Sequence, residues 1–259
     1  MDDIILHQES AYIKMRKAGK LAAEILDYIT DFVDIGITTD ELNNLCHKKI
    51  ISNDAIPAPL NYRGFPKSIC TSINHVICHG IPSDKKLKNG DIINIDVTVI
   101  LDGWYGDTSR MYFVGKPSIK AKRLCDVTYD ALMMGIDQVK PGNRLGDIGH
   151  AIQTYAEGFG YSIVRDYCGH GIGQIFHTSP NVMHFGEKGE GIELKEGMFF
   201  TIEPMVNVGD YSSKILNDNW TVVTKDKSLS AQYEHSLAVT KTGCEIFTLS
   251  PKGFTKPPY

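Results

Sequence analysis

A ten-residue stretch occurs twice in this chain. Leu87-Lys88-Asn89-Gly90-Asp91-Ile92-Ile93-Asn94-Ile95-Asp96 aligns without a gap on Leu194-Lys195-Glu196-Gly197-Met198-Phe199-Phe200-Thr201-Ile202-Glu203, an offset of 194 − 87 = 107, with four positions identical and a carboxylate closing both copies. Gly36 and Gly142 each stand just past a long helical pattern and lie 142 − 36 = 106 residues apart. Chance likeness of two short glycine-bounded strands is the competing explanation, but two features at nearly one offset favour an internal duplication. The expected architecture is α+β: two pseudo-symmetric helix-helix-strand halves, about 1–117 and 118–259, sharing one antiparallel sheet within a single domain 1–259. No linker composition separates the halves.

The local patterns agree with that plan. Ile13, Leu21, Ile25, Leu26, Ile29, Phe32 and Val33 recur at helical spacing over about Glu9 to Ile35, with Gly36 placed to cap the end. Thr38 followed by Glu41 has capping-box spacing and opens a second helix carrying Leu42, Leu45, Ile50 and Ile51. Residues from Asn53 to Pro82 are rich in Pro, Gly, Asn and Ser and read as loops and short strands. The same helix pair recurs as Ser118 to Lys140, stopped by Pro141-Gly142, and Leu145 to Glu157. After Gly90 the period becomes two, as in a half-buried strand, with Ile93, Ile95, Val97 and Val99 on one face and Asn94, Asp96 and Thr98 on the other. An acid on the polar face argues against a parallel doubly wound sheet, whose strands are apolar on both faces.

Composition narrows the function classes. With 27 Lys plus Arg against 31 Asp plus Glu the formal charge is −4, and the basic residues are scattered, so there is no footprint for nucleic acid or for an anionic membrane. No apolar run approaches the ~18 residues of a membrane helix, and Met1-Asp2-Asp3 is acidic where a leader is basic, which points to the cytoplasm. The six cysteines, Cys46, Cys70, Cys78, Cys125, Cys168 and Cys244, are too scattered for a zinc site or a disulfide scaffold and read as reduced, mostly buried thiols.

Chemistry gathers on strand carboxylates. Asp102-Gly103 between Ile100-Leu101 and Trp104-Tyr105 signals a two-residue hairpin. In that register Thr98 faces Asp107, and Asp96 lies diagonal to Asp107 on the same face, at roughly 7 Å. Glu203, before Pro204, and Glu234, before Ser236-Leu237-Ala238-Val239, take similar places in the second half. One acid at a strand end is usually solvated or paired, but four on one sheet require compensation, for which a pair of divalent ions about 3.5 to 4 Å apart is the natural source. His170, within Gly169-His170-Gly171-Ile172-Gly173, completes such a set, and the run is no dinucleotide fingerprint because Gln174 stands where its last glycine belongs. His79 and His177 are the next candidates. His7, His47, His75, His150, His184 and His235 read as ordinary surface or core histidines.

With these residues in place the whole chain resembles the type I methionine aminopeptidases of the short bacterial kind, the family of the pita-bread fold. The family's five-ligand signature falls on Asp96, Asp107, His170, Glu203 and Glu234. The resemblance implies a single catalytic domain that uses two divalent metal ions, with Co, Mn, Fe, Ni and Zn all open. Asp96 would chelate one ion, His170 with Glu203 the other, and Asp107 with Glu234 would bridge them. A hydroxide held by the ions would attack the scissile carbonyl, and Glu203 would be the candidate proton acceptor. His79 and His177 match the substrate-facing histidines, and Tyr62, Phe65, Cys70, Phe176 and Trp220 match the pocket for the methionine side chain. Thr178-Ser179 stands where relatives often carry acids.

The implied substrates are deformylated N-termini of nascent polypeptides with a small second residue, met by a monomer in the cytoplasm, with the ribosome exit as one setting. No nucleic acid or membrane is implied as a partner. Asp2 is bulky, so the chain is expected to keep its own Met1. Three other readings compete. A proline-specific exopeptidase of the same fold would carry an extra N-terminal domain, for which the roughly 90 residues before the Gly90 strand leave little room. A non-catalytic module on this fold would have lost ligands, and a mononuclear iron oxygenase needs two histidines and one carboxylate.

Overall fold

A computed structural model of the chain describes residues 4–259; the Met1-Asp2 expectation lies outside the described residues. The first half consists of helices α1 (Glu9–Ile29) and α2 (Thr39–Ile51), then strands β1 (Ile56–Pro57), β2 (Cys70–Ile73), β3 (Val76–Cys78), β4 (Ile92–Leu101) and β5 (Trp104–Phe113). The order then starts again, with α3 (Ile119–Ile136) and α4 (Leu145–Gly158), followed by β6 (Ser162–Ile163), β7 (Gly169–Gly171), β8 (Thr178–Val182), β9 (Phe199–Ile202), β10 (Met205–Asn207), β11 (Ser213–Ile215), β12 (Val222–Thr224), β13 (Ser230–Gln232), β14 (Glu234–Val239) and β15 (Cys244–Ile246).

The principal sheet runs β1-β4-β5-β14-β9-β7-β8, with β2 added on β4 and β15 on β14. Every pairing in it is antiparallel, and β5 against β14 is where the two halves meet. Helices cover one face. Ile93, Ile95, Val97 and Val99 of β4 pack with Ile25, Ile29, Leu42 and Ile50 of α1 and α2. Phe200, Ile202, Leu237 and Val239 of β9 and β14 pack with Leu124, Leu132, Ile148 and Ile152 of α3 and α4. Fully burying one such side chain contributes about 1.5 to 3 kcal/mol, so the helices are held by these stripes more than by propensity.

Helix boundaries follow local chemistry. Thr38 and Glu41 form the expected capping box, and Ser118 Oγ accepts from the Ala121 amide. α1 ends earlier than its periodicity predicts: the α-helix stops at Ile29, a 3-10 turn covers Thr30–Phe32, and the chain is extended at Val33. Asp31 and Asp34 sit where the helix dipole disfavours acids, and the last turn carries no base to offset them. Gly36 (φ +93°) therefore turns the chain into α2 rather than capping α1. α3 stops at Ile136, four residues short of the expected Lys140, and tightens into turns in which Gln138 and Val139 donate three residues back.

The polar face of β4 departs from a half-buried strand. Asn94 and Thr98 are as buried as the apolar face, because the face away from the helices is closed over by further strands and loops of both halves. No helix among the described residues is long and apolar enough to cross a membrane. All six cysteines are free, four of them buried.

Candidate metal centre

Five neighbouring strands of the sheet each bring one candidate ligand to the face opposite the helices. Asp96 lies on β4, Asp107 on β5, Glu234 at the start of β14, Glu203 one residue past β9, and His170 on β7. The hairpin β4–β5 has the register expected from Asp102-Gly103, with no bulge: Thr98 pairs with Asp107 and Asp96 with Ser109. Ser109 pairs on its other side with Glu234, and the β9–β14 register continued one residue past Ile202–His235 sets Glu203 opposite Glu234. The adjacent row contains Thr98, Asp107, Ser236, Thr201 and His170, linked by Ser236 against Thr201 and by the His170 amide on Thr201 Oγ1 at 3.1 Å. Side chains two apart on a strand share a face, so the two rows aim every candidate into one space.

Small residues keep that space open. Gly169 and Gly171 flank His170, and a Cβ on either would come within 2.2 Å of the Thr201 or Ser179 carbonyl, so β7 lies close between its neighbours. Ligand atoms of Asp107, His170 and Glu234 lie within 4.8 Å of one another. His170 Nε2 is 3.6 Å from Asp107 Oδ2 and 3.7 Å from Glu203 Oε1. Hydrogen bonds orient the carboxylates: Thr98 Oγ1 donates to Asp107 Oδ1 at 2.7 Å, Thr201 Oγ1 to Glu203 Oε1 at 2.9 Å, and Gln232 Nε2 to Glu203 Oε2 at 3.2 Å.

The electrostatics are those of a cation site. Burial raises the carboxyls of Asp96 and Glu234 well above the carboxylate range, and neighbouring carboxylates raise them further. Burial lifts Glu203 to about 7, with the His170 ring opposing and Asp107 adding to the rise. Burial disfavours a charged His170, but contact with Asp107 and the charge of Glu203 outweigh it and raise its pKa. Asp96 Oδ1 is buried with no hydrogen-bond partner among the described residues. Carboxylates held this close ionise together only when a cation joins them, so this donor set of four carboxylates and one imidazole fits divalent metal.

One cleft of about 350 Å³ opens onto these residues, within the range of small-ligand sites. Besides the four acids and the imidazole it is lined by His79, His177, Tyr62, Phe65, Cys70, Phe176 and Trp220, so all twelve residues singled out in the sequence meet there. Phe65 and Trp220 meet edge to face at 5.2 Å, and Tyr62 lies 4.8 Å from Phe176. His79 adopts a left-handed backbone (φ 55°) between Cys78 and Gly80, the kind of strained conformation that clusters at functional sites. Burial pushes its ring down to about 4. His177 Nδ1 is 3.0 Å from the Tyr62 hydroxyl, and its ring packs 4.2 Å from that of His170. Burial and the neighbouring His170 push its pKa down to about 3, with the charge of Asp107 opposing.

Sequence reasoning missed several residues here. Cys78, Tyr167, Cys168 and Met205 also line the cleft, and the only available signal was their adjacency to His79, His170 and Glu203 in the chain. His184 reads from the sequence as an ordinary surface or core histidine; it is fully buried, and its Nε2 accepts the Glu203 amide at 3.0 Å. Burial pushes its ring down to about 3.

A sheet that unites two helix-backed halves over a dense carboxylate and imidazole cluster defines a metal-dependent hydrolase, and residues 13–241 match the model of metallopeptidase family M24. The chain belongs to that family. It is 66% identical over 257 residues, 99% of each chain, to a methionine aminopeptidase of Rickettsia prowazekii, and superposes on a crystal structure of methionine aminopeptidase from that organism with a TM-score of 0.95 over 95% of this chain and 100% of that one. The methionine aminopeptidase of Thermotoga maritima is 37% identical with a TM-score of 0.93, over 95% of this chain and 99% of that one. Within M24 the chain therefore falls among the methionine aminopeptidases. The prolidase of Pyrococcus horikoshii, 22% identical with a TM-score of 0.75, shares the fold, and the chain spans 63% of its length. Use of divalent metal and action on peptides come with the family.

Proposed function

We propose that the chain removes the N-terminal methionine of polypeptides with a small second residue, using two divalent ions held by Asp96, Asp107, His170, Glu203 and Glu234. In this reading Asp107 and Glu234 would serve both ions, Asp96 one of them, and His170 with Glu203 the other. The observation that carries it is the pair of sheet rows that aims these five side chains into the floor of one aromatic-walled cleft, with Asp96 Oδ1 buried and unpartnered. Bound divalent metal supplies water activation at neutral pH and polarisation of the scissile carbonyl.

The chain's own residues do the rest. An acid-lined floor at the closed end of the cleft suits a free α-amine rather than a blocked one, which would limit cleavage to the first residue. Glu203 is also the candidate to accept and return the proton of the attacking water. His79 and His177 stay uncharged near neutral pH and are suited to hydrogen-bonding the scissile amide and steadying the tetrahedral oxygen. Tyr62, Phe65, Cys70, Phe176 and Trp220 offer polarizable walls to a flexible thioether, where each sulfur–aromatic contact contributes about 0.3 to 1.5 kcal/mol.

The identity of the ions among Co, Mn, Fe, Ni and Zn belongs to this proposal, since oxygen-rich ligands admit each and availability decides. So do deformylated nascent chains as substrates, the ribosome exit as the setting, a monomeric state and a cytoplasmic location. The test is release of free methionine from Met-Ala-Ser by protein loaded with Co²⁺ or Mn²⁺, with Ala-Pro and formyl-Met-Ala-Ser as controls. Cleavage of the first peptide alone, abolished by a chelator, is the expected outcome; cleavage of Ala-Pro or of the formylated peptide would refute it.

A further inference from the structure

The Glu203 backbone is held by a residue outside the proposed ligand set. Glu203 lies just beyond β9, where Pro204 interrupts the strand before β10. Its N–H is taken by the ring of His184, with Glu203 N to His184 Nε2 at 3.0 Å. Accepting a backbone N–H leaves Nε2 unprotonated and fixes His184 as the Nδ1–H tautomer.

His184 is connected to His170 as well. It follows β8, whose Val182 pairs with Gly169 and whose Asn181 pairs with His170. On the other side the His170 amide donates to Thr201 Oγ1, which itself donates to Glu203 Oε1. His184, β8, β7, Thr201 and Glu203 thus form a closed ring of hydrogen-bonded parts with both His170 and Glu203 in it. The back of the ring is rigid: residues 183–185 lie against α4 at Gly149, where a Cβ would come within 2.3 Å of the Phe185 carbonyl. His184 itself has no exposed surface.

We infer that His184 is a positioning residue that sets the separation of Glu203 from His170, and through it the affinity of the metal position those two serve. It touches neither substrate nor the reacting atoms. The inference rests on the proposed assignment of Glu203 and His170 to one ion. Nothing in the ring reaches Asp96, which sits on β4 at the other end of the site. Loss of His184 therefore weakens one metal-binding step selectively, by about 10- to 100-fold as for other outer partners of metal ligands.

The experiment is a Co²⁺ titration of full-length protein, followed by calorimetry and visible absorption, on wild type, His184→Gln, His184→Asn, His184→Leu and Glu203→Gln. The Gln carbonyl oxygen reaches the place of Nε2, whereas the Asn oxygen reaches only that of Nδ1. The expected result is near wild-type titration for His184→Gln and at least about tenfold weaker binding in one of two steps for His184→Asn and His184→Leu, with kcat lowered and KM for Met-Ala-Ser little changed. If His184→Leu does not fold, the Gln and Asn variants decide alone. Equal titration by those two, or wild-type affinity in His184→Leu, overturns the inference. Glu203→Gln separates this from the ligand reading: if it too keeps wild-type affinity, the assignment of Glu203 fails, whereas if it loses affinity and the His184 variants do not, only the role of His184 fails.

Discussion

Asp96 and Glu234 pair with the same residue: Ser109 of β5 lies between them, facing Asp96 across one strand boundary and Glu234 across the other. One carboxylate comes from each half of the chain, and a side chain of two heavy atoms is all that separates them in the row. Ser109 is buried, and its hydroxyl accepts from Asn94 Nδ2 at 3.1 Å rather than from either acid. The site is thereby built across the seam between the halves.

Ser109→Val places two methyl groups in that gap and is expected to weaken divalent-metal binding at least about tenfold. Loss of the Asn94 hydrogen bond should lower stability by only about 1 kcal/mol. Metal titration alongside urea unfolding checks both; unchanged affinity would show that the row spacing does not govern the site.

Asp107 is the centre of the other row, and Asp107→Ala should abolish methionine release and uptake of both ions. Its metal-free fold should survive, since the substitution removes one of four mutually repelling carboxylates. Metal content and a thermal melt in chelator measure the two effects. Wild-type turnover in this variant would exclude a bridging role.

The carboxyls also predict an unusual pH dependence for the metal-free protein. Glu203 holds its proton up to about 7 against an ordinary 4.5, and burial raises Asp96 and Glu234 as well. At these carboxyls the folded chain binds more protons than the unfolded one, so their contribution to stability in chelator is fully present below about pH 4.5 and is lost as pH rises through 7, whereas the buried rings of His79, His184 and His235 lower stability as pH falls from 6.5 toward 4. His170, with its pKa raised, has the same sign as the carboxyls. Bound metal replaces those protons, so the gap in melting temperature between loaded and chelated protein should widen with pH. A gap that narrows from pH 5 to 8 would contradict this.

Trp220 meets Phe65 edge to face and lines the cleft, and Trp220→Ala should remove apolar contact from the methionine side chain. A loss of about 1.5 to 3 kcal/mol corresponds to roughly a 10- to 150-fold fall in kcat/KM for Met-Ala-Ser. Metal affinity should not change, because the indole packs on Phe65 and His79 in the cleft wall, neither of which is a proposed ligand.

Gly171→Ala tests how tightly β7 is held. A Cβ there meets the Ser179 carbonyl at 2.1 Å, so the strand carrying His170 has to shift. Destabilisation of about 1 to 3 kcal/mol in urea unfolding is expected, with metal affinity falling in parallel.

Much of this site was legible before any fold was known. The hairpin register followed from Asp102-Gly103 because a two-residue turn leaves one way to pair the strands, and alternation then assigned Asp96 and Asp107 to one face. The repeat ending in Asp96 and Glu203 anticipated that both halves would bring carboxylates to the same sheet. The helix ends were less legible: the period of α1 runs on through Val33, but acids at its C-terminal end and an extended Val33 stop the helix at Ile29.

The residues that were missed act through contacts between distant segments. His184 has no motif around it, and its bond to the Glu203 amide arises only because β8 is added beside β7 and α4 backs the turn beyond. Likewise nothing local in Ser109 shows that it separates Asp96 from Glu234.

Periodicity, turn chemistry and the spacing of carboxylates are local quantities, and from them the chain by itself determined its elements, the face each acid occupies and the family it belongs to. Which acid faces which across the seam and how far burial displaces their protons were decided only when β5 met β14. Those are through-space effects, set by distances of a few ångströms between residues more than a hundred positions apart, and no window along the sequence contains both partners.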